Sequence, residues 1–480
     1  MIADLKPYAV YKDSGLAWLG QVPEHWGTER GKWLFTKMSR PVRVEDDVVT
    51  CFRDGTVTLR KNRRLRGFTE AIVEHGYQGI RKGDLVIHGM DAFAGAIGVS
   101  DSDGKGTPVY NVCQPRPGVN AWYYSHAVRE MSQSQWILAL AKGIRERSTD
   151  FRYEMFGNQR LPLPPPEEQA AIVRFLDWAN ARLERTIRAK RRVIALLTEQ
   201  KQAVIHRAVT RGLDPTVALK PSGITWLGDV PAHWEVRRLR TLVHRIEQGV
   251  SPLAVVFLAE GDSWGVLKSG CVNRGTFRQT EHKQLASSFE IDPAIVVKEG
   301  DVLISRACGS PTLVGSVGRV KSLQYRLILS DKTFRAAFRS VVDEDFMVFA
   351  MNCRYYRQQV EQAISGADGM ANNLPLSSLR GFSFAIPPKD EAVAIAAHLE
   401  SETIVIDRAI SRLNREIDLL REYRTRLVAD VVTGKLDVRA AAAALPQDEL
   451  PSGIEPDALD ADDDPDALEE AESDDEETAA

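Results

Sequence analysis

Ser14-Gly15-Leu16-Ala17-Trp18-Leu19-Gly20-Gln21-Val22-Pro23-Glu24-His25-Trp26 returns 208 positions later as Ser222-Gly223-Ile224-Thr225-Trp226-Leu227-Gly228-Asp229-Val230-Pro231-Ala232-His233-Trp234. A second phrase, Pro164-Pro165-Pro166-Glu167-Glu168-Gln169-Ala170-Ala171-Ile172, returns 223 positions later as Pro387-Pro388-Lys389-Asp390-Glu391-Ala392-Val393-Ala394-Ile395. Two opening and two closing signatures in the same order mean two copies of one large unit. A duplicated globular unit suits a partner with two comparable halves, and duplex DNA with two half-sites is such a partner.

Within each copy the pattern changes at the proline-rich signature. Before it, short apolar runs alternate with Gly and Pro turns. Arg81-Lys82-Gly83-Asp84-Leu85-Val86-Ile87-His88 reads as a turn feeding a strand, as does Lys298-Glu299-Gly300-Asp301-Val302-Leu303-Ile304-Ser305. After it, Ile172, Leu176, Ala179, Leu183, Ile187, Lys190, Ile194, Leu197, Lys201 and Val204 fall at steps of three and four. Ile395, Leu399, Glu402, Ile406, Ala409, Leu413, Ile417, Leu420, Arg424 and Leu427 repeat the pattern. Glu167, Glu168, Asp390 and Glu391 suit helix N-termini, and Gly212 and Gly434 suit helix ends. At 1.5 Å per residue each helix is about 60 Å long, and its narrow apolar seam is that of a coiled coil.

The expected fold class is therefore α+β. Two globular domains (residues 1–165 and 213–388) are each followed by a long helix (166–212 and 389–439), and the helices pair antiparallel as a coiled-coil rod. A disordered acidic tail (440–480) closes the chain.

Charge sharpens the reading. The net charge is −4, from 62 basic and 66 acidic residues. Sixteen of the acids lie beyond Ala440, where no Lys or Arg occurs, so the preceding body carries 62 basic against 50 acidic residues. A basic body favours a polyanion, and an acidic segment without aromatics stays solvated. The tail reads as a solubiliser or as a DNA mimic that competes with nonspecific binding. No apolar run approaches a membrane span, residues 1–6 do not read as a secretory signal, and five cysteines without a CxxC pair read as reduced cytosolic thiols.

Sequence readout needs donors at base edges, and affinity needs cations at phosphates. In the first domain the candidates are Arg60, Lys61, Arg63 and Arg64, within a basic run that extends to Arg66 and suits phosphate contact. Arg145, Arg147, Arg152 and Tyr153 form a second group. In the second domain they are Lys268, Arg274, Arg306, Asn372 and Asn373. His25 and His233 read as packing residues beside buried Trp26 and Trp234. No catalytic, cofactor-binding or metal-ligating residue is assigned. A DNA-modifying enzyme would need a glycine-rich cofactor loop and an Asn/Asp-Pro-Pro-aromatic motif, whereas Glu167 and Lys389 follow the prolines here. No Gly-x4-Gly-Lys-Ser/Thr loop is present. A coiled-coil scaffold without a DNA role would leave the basic body and the duplicated domains unexplained.

This order of parts resembles the specificity subunit of type I restriction-modification systems (HsdS). The resemblance is carried by Trp18–Trp26 and its repeat, by Leu161-Pro162-Leu163-Pro164-Pro165-Pro166-Glu167-Glu168-Gln169 with Phe384-Ala385-Ile386-Pro387-Pro388, and by the Gly-Asp strands at 83–87 and 300–305. Val209-Thr210-Arg211-Gly212-Leu213-Asp214 and Val432-Thr433-Gly434-Lys435-Leu436-Asp437 complete it. It spans about residues 10–439. It implies two target-recognition domains reading a bipartite, asymmetric duplex DNA target, with helices that dock two methyltransferase (M) subunits. Restriction/translocase (R) subunits would join the complex in the cytoplasm. S-adenosylmethionine, ATP and Mg2+ would belong to those partners.

Overall fold

The computed structural model describes residues 5–63, 75–140, 151–286, 288–364 and 372–446, with the side chain of Arg274 also outside the description. Two compact units emerge, and the first is not one contiguous stretch. Unit 1 joins Met1–Lys190 to Arg415–Ile454, and unit 2 contains Arg191–Asn414. Each unit thus takes one globular domain together with the start of one long helix and the end of the other.

The central sheet of unit 1 has strands β1 (Phe35–Lys37), β2 (Leu85–His88), β3 (Ile97–Val99) and β4 (Tyr110–Pro115), in the order β1-β4-β2-β3, all antiparallel. Unit 2 has β5 (Val243–Gln248), β6 (Ala254–Val255), β7 (Trp264–Leu267), β8 (His282–Leu285), β9 (Val302–Ser305), β10 (Val317–Arg319), β11 (Arg326–Ile328) and β12 (Thr333–Phe338). Its first sheet, β5-β12-β9-β10, repeats the topology of unit 1. The duplicated turn works identically in both copies: the Asp84 carboxylate accepts from the Arg81 amide at 2.8 Å, and that of Asp301 from the Lys298 amide at 2.9 Å. What differs is the insert between the first and second strands of each sheet. In unit 1 it forms the hairpin Val49–Cys51/Val57–Leu59; in unit 2 it supplies β6, β7 and β8 of a second sheet, β6-β8-β7-β11, completed by β11 from between β10 and β12, which pairs parallel with β7.

The long helices run Pro166–Arg211 and Lys389–Val432. They pair antiparallel within each unit. In unit 1, Glu184 meets Arg424 at 3.0 Å and Lys190 meets Glu416 at 2.6 Å, so rising numbers on one helix face falling numbers on the other. In unit 2, Lys201 meets Asp407 at 2.6 Å, and Gly212 lies beside Glu391. The charges that interrupt the expected seams are thus matched across it. One seam position differs: Glu402 is exposed, and Thr403 is buried instead with its hydroxyl on the Leu399 carbonyl at 2.7 Å. An α-helix drifts against a 3.5-residue repeat, so one position along can supply the seam. The second helix also ends before residue 439. Beyond it the short helix Arg439–Ala443 packs through Ala442, Leu445 is buried, and Arg174 donates to the Leu445 carbonyl at 2.8 Å. The packed chain therefore extends into the expected tail, whose acidic residues from Asp448 onward lie outside the described residues.

Candidate nucleic-acid interface

The repeated signatures meet in space. In unit 1 the strand Gly27–Arg30 pairs with Arg160–Leu163, carrying the opening signature to the start of the first long helix. There the Trp26 indole, fully buried, donates to Glu168 Oε1 at 3.0 Å, and His25 Nε2 lies 2.8 Å from Glu168 Oε2. Unit 2 repeats the joint: Glu235–Arg238 pairs with Ser383–Ile386, Trp234 donates to Glu391 at 3.1 Å, and His233 lies 2.7 Å from the same carboxylate. The packing role expected of the two Trp residues holds; the glutamates were read only as helix-terminal charges.

Each joint also receives the end of the other helix. Gly434 (φ +78°) sits where a Cβ would meet Pro23 at 2.5 Å, and Gly212 (φ +74°) where it would meet Glu391 at 3.2 Å. Only glycine combines that backbone with that approach. The joints are not equal. In unit 1 the Tyr8 hydroxyl also donates to Glu168, and Arg439 stands 5.1 Å over the Tyr8 ring. Burial and the Glu168 contact push the Tyr8 hydroxyl far above its ordinary pKa. Glu168 is 3% exposed; Glu391 is 31% exposed.

The predicted DNA-contact residues fall in distinct places. Arg60 and Lys61 lie in the turn Arg60–Asn62 after Val57–Leu59. Arg60 donates to Thr50 at 3.2 Å, Lys61 pairs with Asp47 at 2.5 Å, and Arg63 pairs with Asp54 at 2.7 Å while lying over Phe52. Arg64, Arg145 and Arg147 lie outside the described residues. Tyr153 opens the helix Tyr153–Asn158 and spends its hydroxyl on the Phe35 carbonyl at 3.1 Å. Lys268 follows β7 and caps the 3-10 turn Ser269–Gly275, its amide bonded to the Glu281 carbonyl at 2.9 Å. Arg274 lies in the 3-10 turn Ser269–Gly275.

Arg306, Asn372 and Asn373 are brought together. Ala307 and Cys308 pair with Asn373 and Asn372, and the Leu374 amide bonds the Arg306 carbonyl at 2.9 Å. The Arg306 guanidinium donates to the Asp331 carbonyl at 2.8 Å, while Asn373 Oδ1 is buried without a partner. The same corner exists in unit 1, where the Phe151 amide bonds the Gly89 carbonyl at 3.0 Å, placing exposed Arg152 beside the turn after β2. That turn carries a group the sequence reading missed: Asp91 lies 3.4 Å from both Arg53 and His88. Burial lowers the His88 pKa, against the pull of Asp91. The signal available was positional, since Gly89 follows β2 as Arg306 follows β9. Among the described residues no group of His, Cys, Asp and Glu has metal-site geometry, and no helix is long and apolar enough to cross a membrane.

These features define a duplicated α+β protein built on a pair of antiparallel helices. No family model matches the chain. It is 26% identical over 291 residues to the type I restriction enzyme MjaVIII specificity subunit of Methanocaldococcus jannaschii, covering 60% of this chain and 64% of that relative. It is 28% identical over 189 residues to the Escherichia coli EcoEI specificity subunit, covering 38% of this chain and 31% of the relative. A putative MjaX specificity subunit aligns at 23% identity over 88% of this chain and 96% of its own length. A solved chain from a study of assembly and conformational transition of the type I R-M system shares the fold at TM-score 0.56 and 16% identity, over 86% of this chain and 98% of that one. The curated relatives it resembles are thus specificity subunits of type I restriction enzymes, and the fold is that of a solved type I R-M chain.

Proposed function

We propose that this chain is the noncatalytic DNA-recognition subunit of a cytoplasmic type I restriction-modification complex. Each globular domain reads one half of a gapped duplex target, and the helices dock two methyltransferase subunits. Methyl transfer with S-adenosylmethionine, and ATP- and Mg2+-dependent restriction, reside in partner subunits. The observation that carries this reading is one sheet scaffold repeated between matching joints, with unlike inserts. A common frame bearing different reading elements suits two different half-sites, hence an asymmetric target. Arg306, at the corner shared by both domains, is assigned to one half-site only.

Mapping base methylation across the source genome, with the gene intact and deleted, tests the reading. Loss of one bipartite adenine motif on deletion is the expected result; an unchanged methylation map in a strain expressing all partner subunits would refute it. Arg306→Ala should lower binding to one half-site about 5- to 30-fold and leave the other unchanged. Equal loss on unrelated duplexes, measured by fluorescence anisotropy, would make Arg306 a phosphate contact instead.

A further inference from the structure

We propose that residues 253–258 of unit 2, Leu-Ala-Val-Val-Phe-Leu, read thymine methyl groups in the major groove of one half-site. The inference rests on the DNA-recognition reading above and names the chemistry of its second domain.

The segment is anomalous for chain held at a sheet edge: only Ala254–Val255 is strand, followed by a bend at 256–257. An edge strand over a core alternates buried and exposed side chains. Here Leu253 is 87%, Val256 66% and Phe257 74% exposed, with Val255 and Leu258 also exposed. The backbone is nonetheless held along its length. Val250 bridges Ser330, with the Asp331 amide on its carbonyl at 3.0 Å. Ala254 and Val255 pair with Leu285 and Gln284, and the Phe257 carbonyl accepts from the Gln284 amide at 2.8 Å. At the far end the buried Ala259 amide donates to His282 Nε2 at 2.9 Å. The result is a fixed strap whose large apolar side chains are offered to solvent at the free edge of its sheet. Such an edge is a liability unless something covers it.

Charge around the strap selects the occupant. The turn at Asp331 that anchors Val250 also carries Lys332, paired with the Asp331 carboxylate at 3.0 Å, and receives the Arg306 guanidinium on the Asp331 carbonyl. Lys283 lies on the paired strand, and Arg245 on β5, 68% exposed, reaches Glu247 at 3.2 Å. Apolar side chains on a sheet whose neighbouring strands and turns carry Arg306, Lys283 and the weakly paired Lys332 and Arg245 match a DNA groove, where thymine methyls lie between phosphates that can take over such cations from Asp331 and Glu247. Protein interfaces, by contrast, are depleted of Lys around their apolar centres. The strap also belongs to the insert that distinguishes unit 2. After β1, unit 1 instead carries Arg40-Pro41-Val42-Arg43-Val44-Glu45-Asp46, which alternates valine with charge.

The test uses the full chain and two random duplex libraries, one containing thymidine and one deoxyuridine, which lacks the methyl group. From the thymidine library the chain should enrich a bipartite motif with at least one T·A pair in one half. From the deoxyuridine library enrichment at that pair should fall about 4-fold per methyl lost, with the other half intact. Leu253→Ser/Phe257→Ser should reproduce that loss on the thymidine library. Equal enrichment of both halves from both libraries overturns the strap assignment while leaving DNA recognition standing. No enriched motif from the thymidine library overturns DNA recognition itself and the strap with it. Unchanged enrichment by the double variant, together with a lower oligomeric mass in solution, would assign the strap to protein docking and also overturn the proposal.

Discussion

Replacing Glu168 by alanine removes at once the partner of the Trp26 indole, the His25 ring and the Tyr8 hydroxyl. Two of those donors are buried, so the expected cost to unit 1 is about 3–5 kcal/mol. The matching Glu391→Ala change, at a carboxylate nearly a third exposed and without a tyrosine, should cost about 1 kcal/mol in unit 2. Urea unfolding followed by tryptophan fluorescence compares them, and equal costs would contradict the ranking. Both borders of this joint were legible as repeated phrases, but the bond between them was not. Trp26 and Glu168 are 142 residues apart, and spacing rules report only what the backbone brings together locally. The basic run shows the same limit from the other side. Lys61 and Arg63 read as open cations, yet the fold lays Asp47 and Asp54 against them.

The long helices were the most legible elements, because a three-four apolar step sustained over some forty residues has no competing reading. Their partner was legible too, since a narrow seam needs another helix. The match of individual charges across it was not, because it depends on axial stagger. Lys201 and Asp407 face each other in unit 2 with both side chains reachable by water, so their pairing should contribute about 0.3–1 kcal/mol. Lys201→Glu should destabilise the unit, and the double exchange Lys201→Glu with Asp407→Lys should recover most of the loss. A double-mutant cycle in urea measures the coupling, and additive losses would mean that the pair is only coincident. The short strands of the inserts were much less visible. Many are two to four residues long, too short to display an alternation, so the second sheet of unit 2 had no sequence signature of its own.

At the scale of the molecule, duplication was plain from the phrases alone, while the division into units was not: each unit borrows the end of the other copy's helix. Charge is divided unevenly as well, with sixteen acids following a basic body. If the acidic segment competes with DNA for that body, deleting residues 447–480 should tighten binding to random duplex about 3- to 10-fold at low salt, fading as salt is raised. Anisotropy titrations at two salt concentrations check this, and identical affinities would leave the segment without that role. The two joints have a last consequence. They share a tryptophan, a histidine and a carboxylate, but only one is sealed by a tyrosine beneath an arginine. Transient opening should therefore begin at the Trp234 joint, whose indole proton would exchange with deuterium sooner than that of Trp26. Two halves descended from one ancestor would in this way keep different clocks.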